Sequence, residues 1–527
     1  MLKSFVLFFR LFLTVKVSST RLLQRVFDGQ FNRVIFINNT IKKRITFFDN
    51  TGCKSQELCE FKDKLNNTDY IPKVKGLPLV GTIFDLIAAG GAPKLHLYID
   101  KRHAEYGHIF RERLGGTEEG IFVSSANLMR AVFIHEGSYP RHPLPEAWVL
   151  YNKENNCQRG LFFMNGEEWF HNRRILSRLL LNGNLDWMNW HVRQQSNRLI
   201  QKWLRNSEAQ SSKGFIIENL EEQLYRWSID VIISVMFGET SDLEILDIQQ
   251  AVDEFSNIVH KIFETSSPLM NFPPRLAKIL GMKIWCEFEK SVEEVLIKGY
   301  HVIDLFLERT SAYPGGLYEK LQEAEVPLDM IKRIFVDLVI AAGDTTAYST
   351  TWALYLLSQD EKLQEKLHEE YNTNTHDTPL LRGLIKETLR LYPVAPFIGR
   401  YVAQECRLDN KYHLKENSLV FLSLFTAGRD ANHFPEPLKV MPERWLRNEL
   451  TGELRAVYAA HATLPFAIGN RSCIGRKLAI NQMQYMIAEM AKLFHLKCIN
   501  NAPIESVLRL VTVPNQPIKL LINKRWD

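Results

Sequence analysis

Ten residues, Phe466-Ala-Ile-Gly-Asn-Arg-Ser-Cys-Ile-Gly475, gather what a thiolate metal site needs. Cys473 supplies the sulfur. Gly469 permits a tight backbone bend that a side chain would obstruct. Arg471, two residues before the cysteine, can pair with an anionic group such as a haem propionate. Ile474-Gly-Arg-Lys-Leu-Ala-Ile-Asn-Gln482 follows and reads as the start of a long amphipathic helix. A thiolate at a helix N-terminus is stabilised by the partial positive charge there. Haem iron bound by a Cys thiolate favours O–O cleavage, so the chemistry is oxygen activation rather than oxygen storage. The competing reading is a structural cysteine buried in a glycine-rich turn.

Three upstream clusters must position that chemistry. From Pro327 to about Asp360 the chain holds one glycine, Gly343, and no internal proline. That predicts a helix of some 30 residues, roughly 45 Å long. Asp337 and Asp344 interrupt its apolar run, so it is not a clean membrane span. Ala342-Gly-Asp-Thr-Thr346 at its middle combines residues that weaken a helix interior. This predicts a groove in a buried helix, with a small-residue crossing point as the plainer alternative. Glu387 and Arg390 are three apart and share a helix face; without context they read as a solvated pair that contributes little. Trp169 and Arg173 present an indole N–H and a guanidinium on one helix face, suited to a carboxylate. A core aromatic is the alternative for Trp169.

Phe466-x-x-Gly469-x-Arg471-x-Cys473-x-Gly475 resembles the haem-binding signature of the cytochrome P-450 family. The other clusters occur in the order that family requires. The resemblance implies a mainly α (α+β) fold: one large helical domain over residues 71–527, small β-sheets, and haem b between long helices. It implies that Phe466, Gly469, Arg471 and Cys473 bind the haem, with Cys473 on the iron. It makes Trp169, Arg173 and Arg400 propionate partners, Thr345 the residue that orients bound oxygen, and Asp344 a proton relay. Glu387, Arg390 and Arg444 would form a buried structural triad. The chain departs from the family pattern at Ala342, where glycine is usual; Gly343 comes one place later, which implies a shifted or narrower groove. By position, Ala341, Ala342, Val394, Phe397, Val511 and Thr512 would line the substrate pocket.

Composition is that of a globular protein, with 46% apolar and 24% charged residues among 527. No linker, repeat or low-complexity segment follows about residue 70. The net charge of +5 is mild and does not indicate nucleic acid. Seven scattered cysteines without CxxC pairs fit a reducing compartment. Residues 1–48 hold nine Lys or Arg and one acid, Asp28; this basic, amphipathic composition predicts a mitochondrial presequence, with a disordered basic tail or an unusually charged endoplasmic-reticulum anchor as the alternatives. Residues 49–70 read as a polar linker.

Arg382 and Lys386 are four apart and project from one predicted helix face. In the mitochondrial class of the family, basic residues here bind an acidic ferredoxin, which carries NADPH-derived electrons from its reductase. Arg476 and Lys477 would extend that patch. The expected location is the matrix side of the inner membrane. Met270-Asn-Phe-Pro-Pro-Arg275 would be an apolar lip in peripheral membrane contact.

Stretches such as Ile109-Phe-Arg-Glu-Arg-Leu-Gly-Gly116 and Leu391-Tyr-Pro-Val-Ala-Pro-Phe-Ile-Gly-Arg400 are similar to the insect ecdysteroid 2-hydroxylases within that class. This finer resemblance implies hydroxylation of a steroid at C2 of 2-deoxyecdysone. A monooxygenase of another lipophilic substrate, a haem-thiolate isomerase and a non-catalytic steroid or haem sensor are the alternatives.

Overall fold

The structure, a computed structural model, describes residues 70–78, 80–115, 118–209, 214–238, 246–270, 272–309, 315–373, 378–448 and 451–525. The presequence expected over 1–48 and all of the expected linker except Tyr70 lie outside these residues. Ile71–Asp527 forms one compact unit.

Among the described residues, twelve helices of nine residues or more carry the fold. They are α1 (Leu95–Tyr106), α2 (Ala126–Ile134), α3 (Glu146–Glu154), α4 (Gly166–Leu180), α5 (Asp186–Ala209) and α6 (Leu220–Phe237). Then come α7 (Leu246–Ser266), α8 (Lys283–Arg309), α9 (Leu328–Ser358), α10 (Glu361–Thr373), α11 (Pro379–Leu391) and α12 (Arg476–Leu493).

Helix α9 is the axis. Its 31 residues span about 46 Å at 1.5 Å per residue. It packs against α6, α8, α11 and α12, and apolar residues on most of its circumference are buried, including Ile331, Ile334, Phe335, Val339 and Trp352. Hydroxyl groups survive there because each bonds the carbonyl four residues back: Thr350 Oγ1 to Thr346 O and Thr351 Oγ1 to Ala347 O, both 2.9 Å. Two glycines set how closely neighbours approach. A Cβ on Gly299 of α8 would stand 2.6 Å from Val336 Cγ2, and one on Gly343 would stand 2.8 Å from Tyr225 Cε2 of α6.

Among the described residues, four small sheets flank the helices. The largest has the order β1 (Ile109–Glu112), β2 (Gly120–Val123), β7 (Leu419–Ser423), β4 (Phe397–Tyr401), with β2 and β7 parallel. Its buried side packs with α2 through Leu128, Met129, Val132, Val420 and Leu422. Strand β3 (Phe215–Ile217) pairs with β11 (Leu520–Lys524), which pairs with β8 (Phe494–Cys498). Two hairpins complete the set, β5 (Cys406–Leu408) with β6 (Tyr412–Leu414), and β9 (Ser506–Arg509) with β10 (Val511–Pro514).

Candidate active site

The segment before α12 folds back on itself. Cys473 N–H donates to Phe466 O at 2.8 Å, and Ser472 N–H donates to Gly469 O at 3.2 Å. Gly469 has φ +78°, and a Cβ there would lie 2.0 Å from Glu136 Oε1. Glycine is thus required by conformation and by the approach of a buried carboxylate. Phe466 packs its ring against the main helical core. The Cys473 side chain is accessible, yet burial raises its thiol pKa. A sulfur on the wall of an internal cleft satisfies both, and the loss of hydration is what its acidity responds to. The backbone N–H groups of Gly475 and Arg476 and the charges of Arg173 and Arg476 pull the other way, toward thiolate. Among the described residues no group of three or more His, Cys, Asp or Glu side chains is placed to hold a metal ion; the donor offered here is a single sulfur.

Cations crowd the same loop. Arg471 lies over the Trp169 ring, 4.4 Å from its centroid, and its Nη2 donates to Asn165 Oδ1 at 2.9 Å and to Met164 O. Arg471 Nη1 donates to His142 Nδ1 at 3.0 Å. Arg173 Nη2 reaches Ser472 Oγ at 3.4 Å, and Arg400 Nε donates to Glu136 Oε2 at 2.8 Å. Burial, then the charges of Arg400 and Arg173, pull Arg471 down to about 10. Burial also lowers Arg173, and burial with Arg471 and Arg400 takes His142 down to about 3. Arg400 Nη2, Arg471 Nε and His142 Nε2 are buried without a protein partner. Buried donors of this kind call for an acceptor. A haem meets both demands: iron for the sulfur of Cys473 and two carboxylates for the surplus guanidinium donors. The residues present fit that group.

Glu387 does not form the solvated pair that its spacing with Arg390 suggests. Both side chains, and that of Arg444, are wholly buried. Arg390 grips Glu387 with two bonds, Nε to Oε1 at 2.8 Å and Nη2 to Oε2 at 2.7 Å. Arg444 Nε lies 3.1 Å from Oε1, while Trp445 Nε1 and the Met441 N–H also donate to the carboxylate. Gly383 makes this possible. A Cβ there would lie 2.4 Å from Pro442 O, so the glycine lets α11 settle against the Pro442–Trp445 turn.

Around Ala342-Gly-Asp-Thr-Thr346, α9 runs on without interruption. Thr345 Oγ1 donates to Ala341 O at 2.8 Å, so the threonine satisfies its hydroxyl locally. Ala341 is exposed and Thr345 partly so, whereas Gly343, Asp344, Thr346 and Ala347 are buried. One stripe of the helix, four residues apart, therefore faces open space. Gly343 is not on that stripe. It serves the α6 crossing, where Ser228 Oγ also donates to Ala342 O at 3.1 Å. The displaced glycine is thus a packing residue at the α6 crossing. Asp344 lies with its carboxylate 3.4 Å from His260 Nδ1 of α7.

The remaining positions divide. Val394 O accepts from Thr512 N–H at 2.8 Å, joining two of the expected lining segments. Val511 and Thr512 are buried, Val394 and Phe397 partly so, and Phe397 packs edge-on against Phe122. Ala342 contacts the main core. Arg382 and Lys386 are exposed on α11, and Arg476 and Lys477 are exposed in the first turn of α12. These two helices pack together. The aliphatic stem of Lys386 runs beside Trp445, with Nζ 5.3 Å from the ring centroid.

The cytochrome P450 family model matches residues 71–522. The chain belongs to the cytochrome P450 family. Among curated relatives, this P450 is 54% identical over 470 residues to cytochrome P450 315a1, mitochondrial, of Drosophila melanogaster, covering 87% of this chain and 89% of the relative. It is 28% identical over 454 residues to the mitochondrial cholesterol side-chain cleavage enzyme of Oncorhynchus mykiss, covering 82% and 86%. It is 27% identical over 451 residues to the mitochondrial cytochrome P450 11B2 of Mus musculus, covering 82% and 88%. The fold is that of a P450, and the chain is a haem-thiolate monooxygenase.

Reading the sequence did not single out Glu136, His142, His260 or Trp445 in this P450. Each is a lone residue that meets its partner only across the fold: Glu136 meets Arg400 264 residues away, and His142 meets Arg471 329 residues away. No spacing rule finds such pairs.

Proposed function

We propose that this P450 is a mitochondrial steroid hydroxylase acting at C2 of 2-deoxyecdysone, with electrons from an acidic ferredoxin that its NADPH-dependent reductase reloads. The observation that carries the reading is the 54% identity to cytochrome P450 315a1, mitochondrial, along nearly nine-tenths of both chains. The similarity of the 109–116 and 391–400 stretches to ecdysteroid 2-hydroxylases directs it to C2. The name of the cholesterol side-chain cleavage enzyme supports a steroid substrate, and the names of these relatives support mitochondria. Residues 1–48 would be the presequence and 49–70 the linker into the enzyme. Among the described residues no helix is long and apolar enough to cross a membrane. Met270, Ile279 and Leu280 are exposed, at 45%, 80% and 54%, and would give peripheral contact with the inner membrane on its matrix side.

Bound haem supplies the iron at which dioxygen is activated for insertion into a C–H bond. Cys473 would hold that iron through sulfur, and the N–H groups of Gly475 and Arg476 favour the thiolate. Arg173, Arg400 and Arg471, with Trp169 beneath the last, would hold the two carboxylates. The Thr345 hydroxyl, on the open stripe of α9, would position oxygen, and Asp344 would pass protons toward it. Ala341, Ala342, Val394, Phe397, Val511 and Thr512 would wall the steroid. Thr512 Oγ1 is buried without a partner, so it is the one side chain of these six able to hydrogen-bond a steroid oxygen. Arg382, Lys386, Arg476 and Lys477 would receive the ferredoxin.

The test is turnover by the purified holoprotein with ferredoxin, its reductase, NADPH and 2-deoxyecdysone, read by mass spectrometry. Ecdysone should form and should vanish in Cys473→Ala. A reduced carbonyl spectrum typical of thiolate-bound haem, with no product, would remove the substrate assignment.

A further inference from the structure

Asp344 is buried to 2% on α9, while its partner His260 on α7 is 44% exposed, and His260 Nδ1 lies 3.4 Å from Asp344 Oδ1. One ionisable pair therefore runs from solvent to the interior of the helix that carries Thr345. The surroundings hold it in place. Tyr225 of α6 packs its ring 5.2 Å from the imidazole, and its hydroxyl is anchored to Ser256 O at 2.9 Å. Glu264, one turn further along α7, and Glu222 of α6 add negative charge toward the imidazole. Tyr348, one turn along α9 from Asp344, also feels the Asp344 and Glu264 charges. Three carboxylates thus act on this histidine, and one phenol ring packs against it.

We propose that His260 is the solvent-side entry of the proton path that Asp344 serves, and a positioning residue for that acid. The inference rests on the reading of Asp344 as a proton donor. In each cycle His260 gives its Nδ1 proton to Asp344 Oδ1. Asp344 then passes its proton inward toward the Thr345 hydroxyl, and the partly exposed imidazole turns its bare Nδ1 to water, takes up a proton there and turns back, so the pair returns to its starting protonation and charge. The environment suits this exchange. The hydrogen bond and charge of Asp344 raise His260 above its usual range, and burial raises Asp344 above the usual carboxylate range against the pull of His260. Each holds a proton more readily than in water, and the tautomer is fixed because Nδ1 must carry the hydrogen that the carboxylate accepts.

The deciding measurement is NMR titration of the His260 ring, with imidazole carbon labelled, in the diamagnetic ferrous–carbonyl holoprotein. The signal is assigned by its loss in His260→Gln. Its midpoint should lie above the ordinary value of about 6.5 and fall in Asp344→Asn by a unit or more, a tenfold change in proton affinity. An equal midpoint in the two proteins overturns the pairing.

The second arm is product formed per NADPH, with 2-deoxyecdysone. His260→Gln keeps a donor toward Asp344 but cannot titrate, and His260→Ala keeps neither. A relay predicts a fall of several-fold in both, with hydrogen peroxide rising and the wild-type decline of rate at high pH flattened. Wild-type coupling and pH profile in His260→Gln would overturn the relay. Undiminished coupling in Asp344→Asn would remove the underlying reading of Asp344. Absence of product from the unaltered protein would remove the substrate reading, and the titration would still decide the pairing.

Discussion

Glu387 and Asp344 are both buried carboxylates, on helices α11 and α9 that pack against each other, and they are held in opposite ways. Glu387 lies between two guanidiniums and also accepts from the Trp445 indole and the Met441 amide. Its cationic partners do not give up their protons at any relevant pH. Asp344 has one side-chain partner, a half-exposed histidine at 3.4 Å, and burial leaves its pKa raised. The first arrangement fixes a charge and the second leaves one adjustable. The fixed acid is tied to the Pro442–Trp445 turn through Met441 and Trp445, and the adjustable one sits beside the proposed oxygen-handling threonine.

The strongest test of this contrast is neutralising each acid in turn. Glu387→Gln leaves Arg390 and Arg444 buried with their charges unmatched, and breaking a buried pair from one side costs about 3–5 kcal/mol. We expect a clear fall in the denaturant midpoint of the holoprotein and loss of haem at lower denaturant. Asp344→Asn should cost far less, because His260 can shed its proton to solvent. A similar loss of stability in the two variants would erase the distinction.

A smaller effect lies in the pH dependence of stability. His260 binds its proton more tightly in the folded protein than in the unfolded chain, because Asp344 accepts from it. Its contribution is fully present below about pH 6.5, the unfolded value, and is lost as pH rises through the higher folded value. Asp344 has the same sign: its raised carboxyl makes the folded state the better proton binder, so stability declines as pH climbs past the ordinary carboxylate value. Asp344→Asn should therefore flatten the fall of unfolding free energy between mildly acidic and mildly alkaline pH. An unchanged slope would mean that the pair does not titrate as a unit.

These acids also mark where the sequence is legible. The cysteine loop is readable because its chemistry needs particular residues at fixed short spacing: Gly469 for a left-handed turn, Arg471 and Cys473 beside it, a helix start just after. The length of α9 is readable from a proline-free run. Burial of Glu387 is not, since the i, i+3 pair with Arg390 looks the same on a wet surface. What buries it is Gly383 admitting the Pro442 turn 59 positions later. Likewise Gly343 reads as a weak point in a helix, but it is a contact point for Tyr225, 118 residues earlier. Local geometry leaves a local pattern, whereas a close approach between distant segments leaves only a glycine that fits several explanations.

That ambiguity can be tested at the next level of effect. Gly343→Ala places a Cβ 2.8 Å from the Tyr225 ring and 2.9 Å from Ile229 Cδ1. The ring is tied by its hydroxyl to Ser256 O, so it does not swing away freely. Overpacking of this kind costs about 1–3 kcal/mol, offset by the ~1 kcal/mol that alanine gains over glycine within a helix. Ala342→Gly should cost about 1 kcal/mol from helix propensity alone. If Gly343→Ala is more stable than the unaltered protein by thermal unfolding, the tight α6–α9 crossing is wrong.

The smallest expected change in stability comes one residue from the most damaging site. Lys386 precedes Glu387, yet its ammonium is exposed on the outer face of α11 beside Arg382. Burial, then the charges of Arg382 and Arg447, lower its pKa, so the position concentrates positive charge. Lys386→Gln should leave unfolding within about 0.5 kcal/mol of wild type, as surface changes do. Each lost charge opposite a negatively charged partner is worth about 1 kcal/mol near 4 Å in water, so the KM for ferredoxin should rise roughly fivefold at low ionic strength. The difference should shrink as added salt shortens the screening length to about 10 Å and below. Steroid-induced spectral shifts should stay as in wild type, because the proposed role of this face is electron delivery and not substrate binding. An unchanged KM at low salt would show that α11 contributes its inner face alone, and that the outer lysine is only a solvated cation.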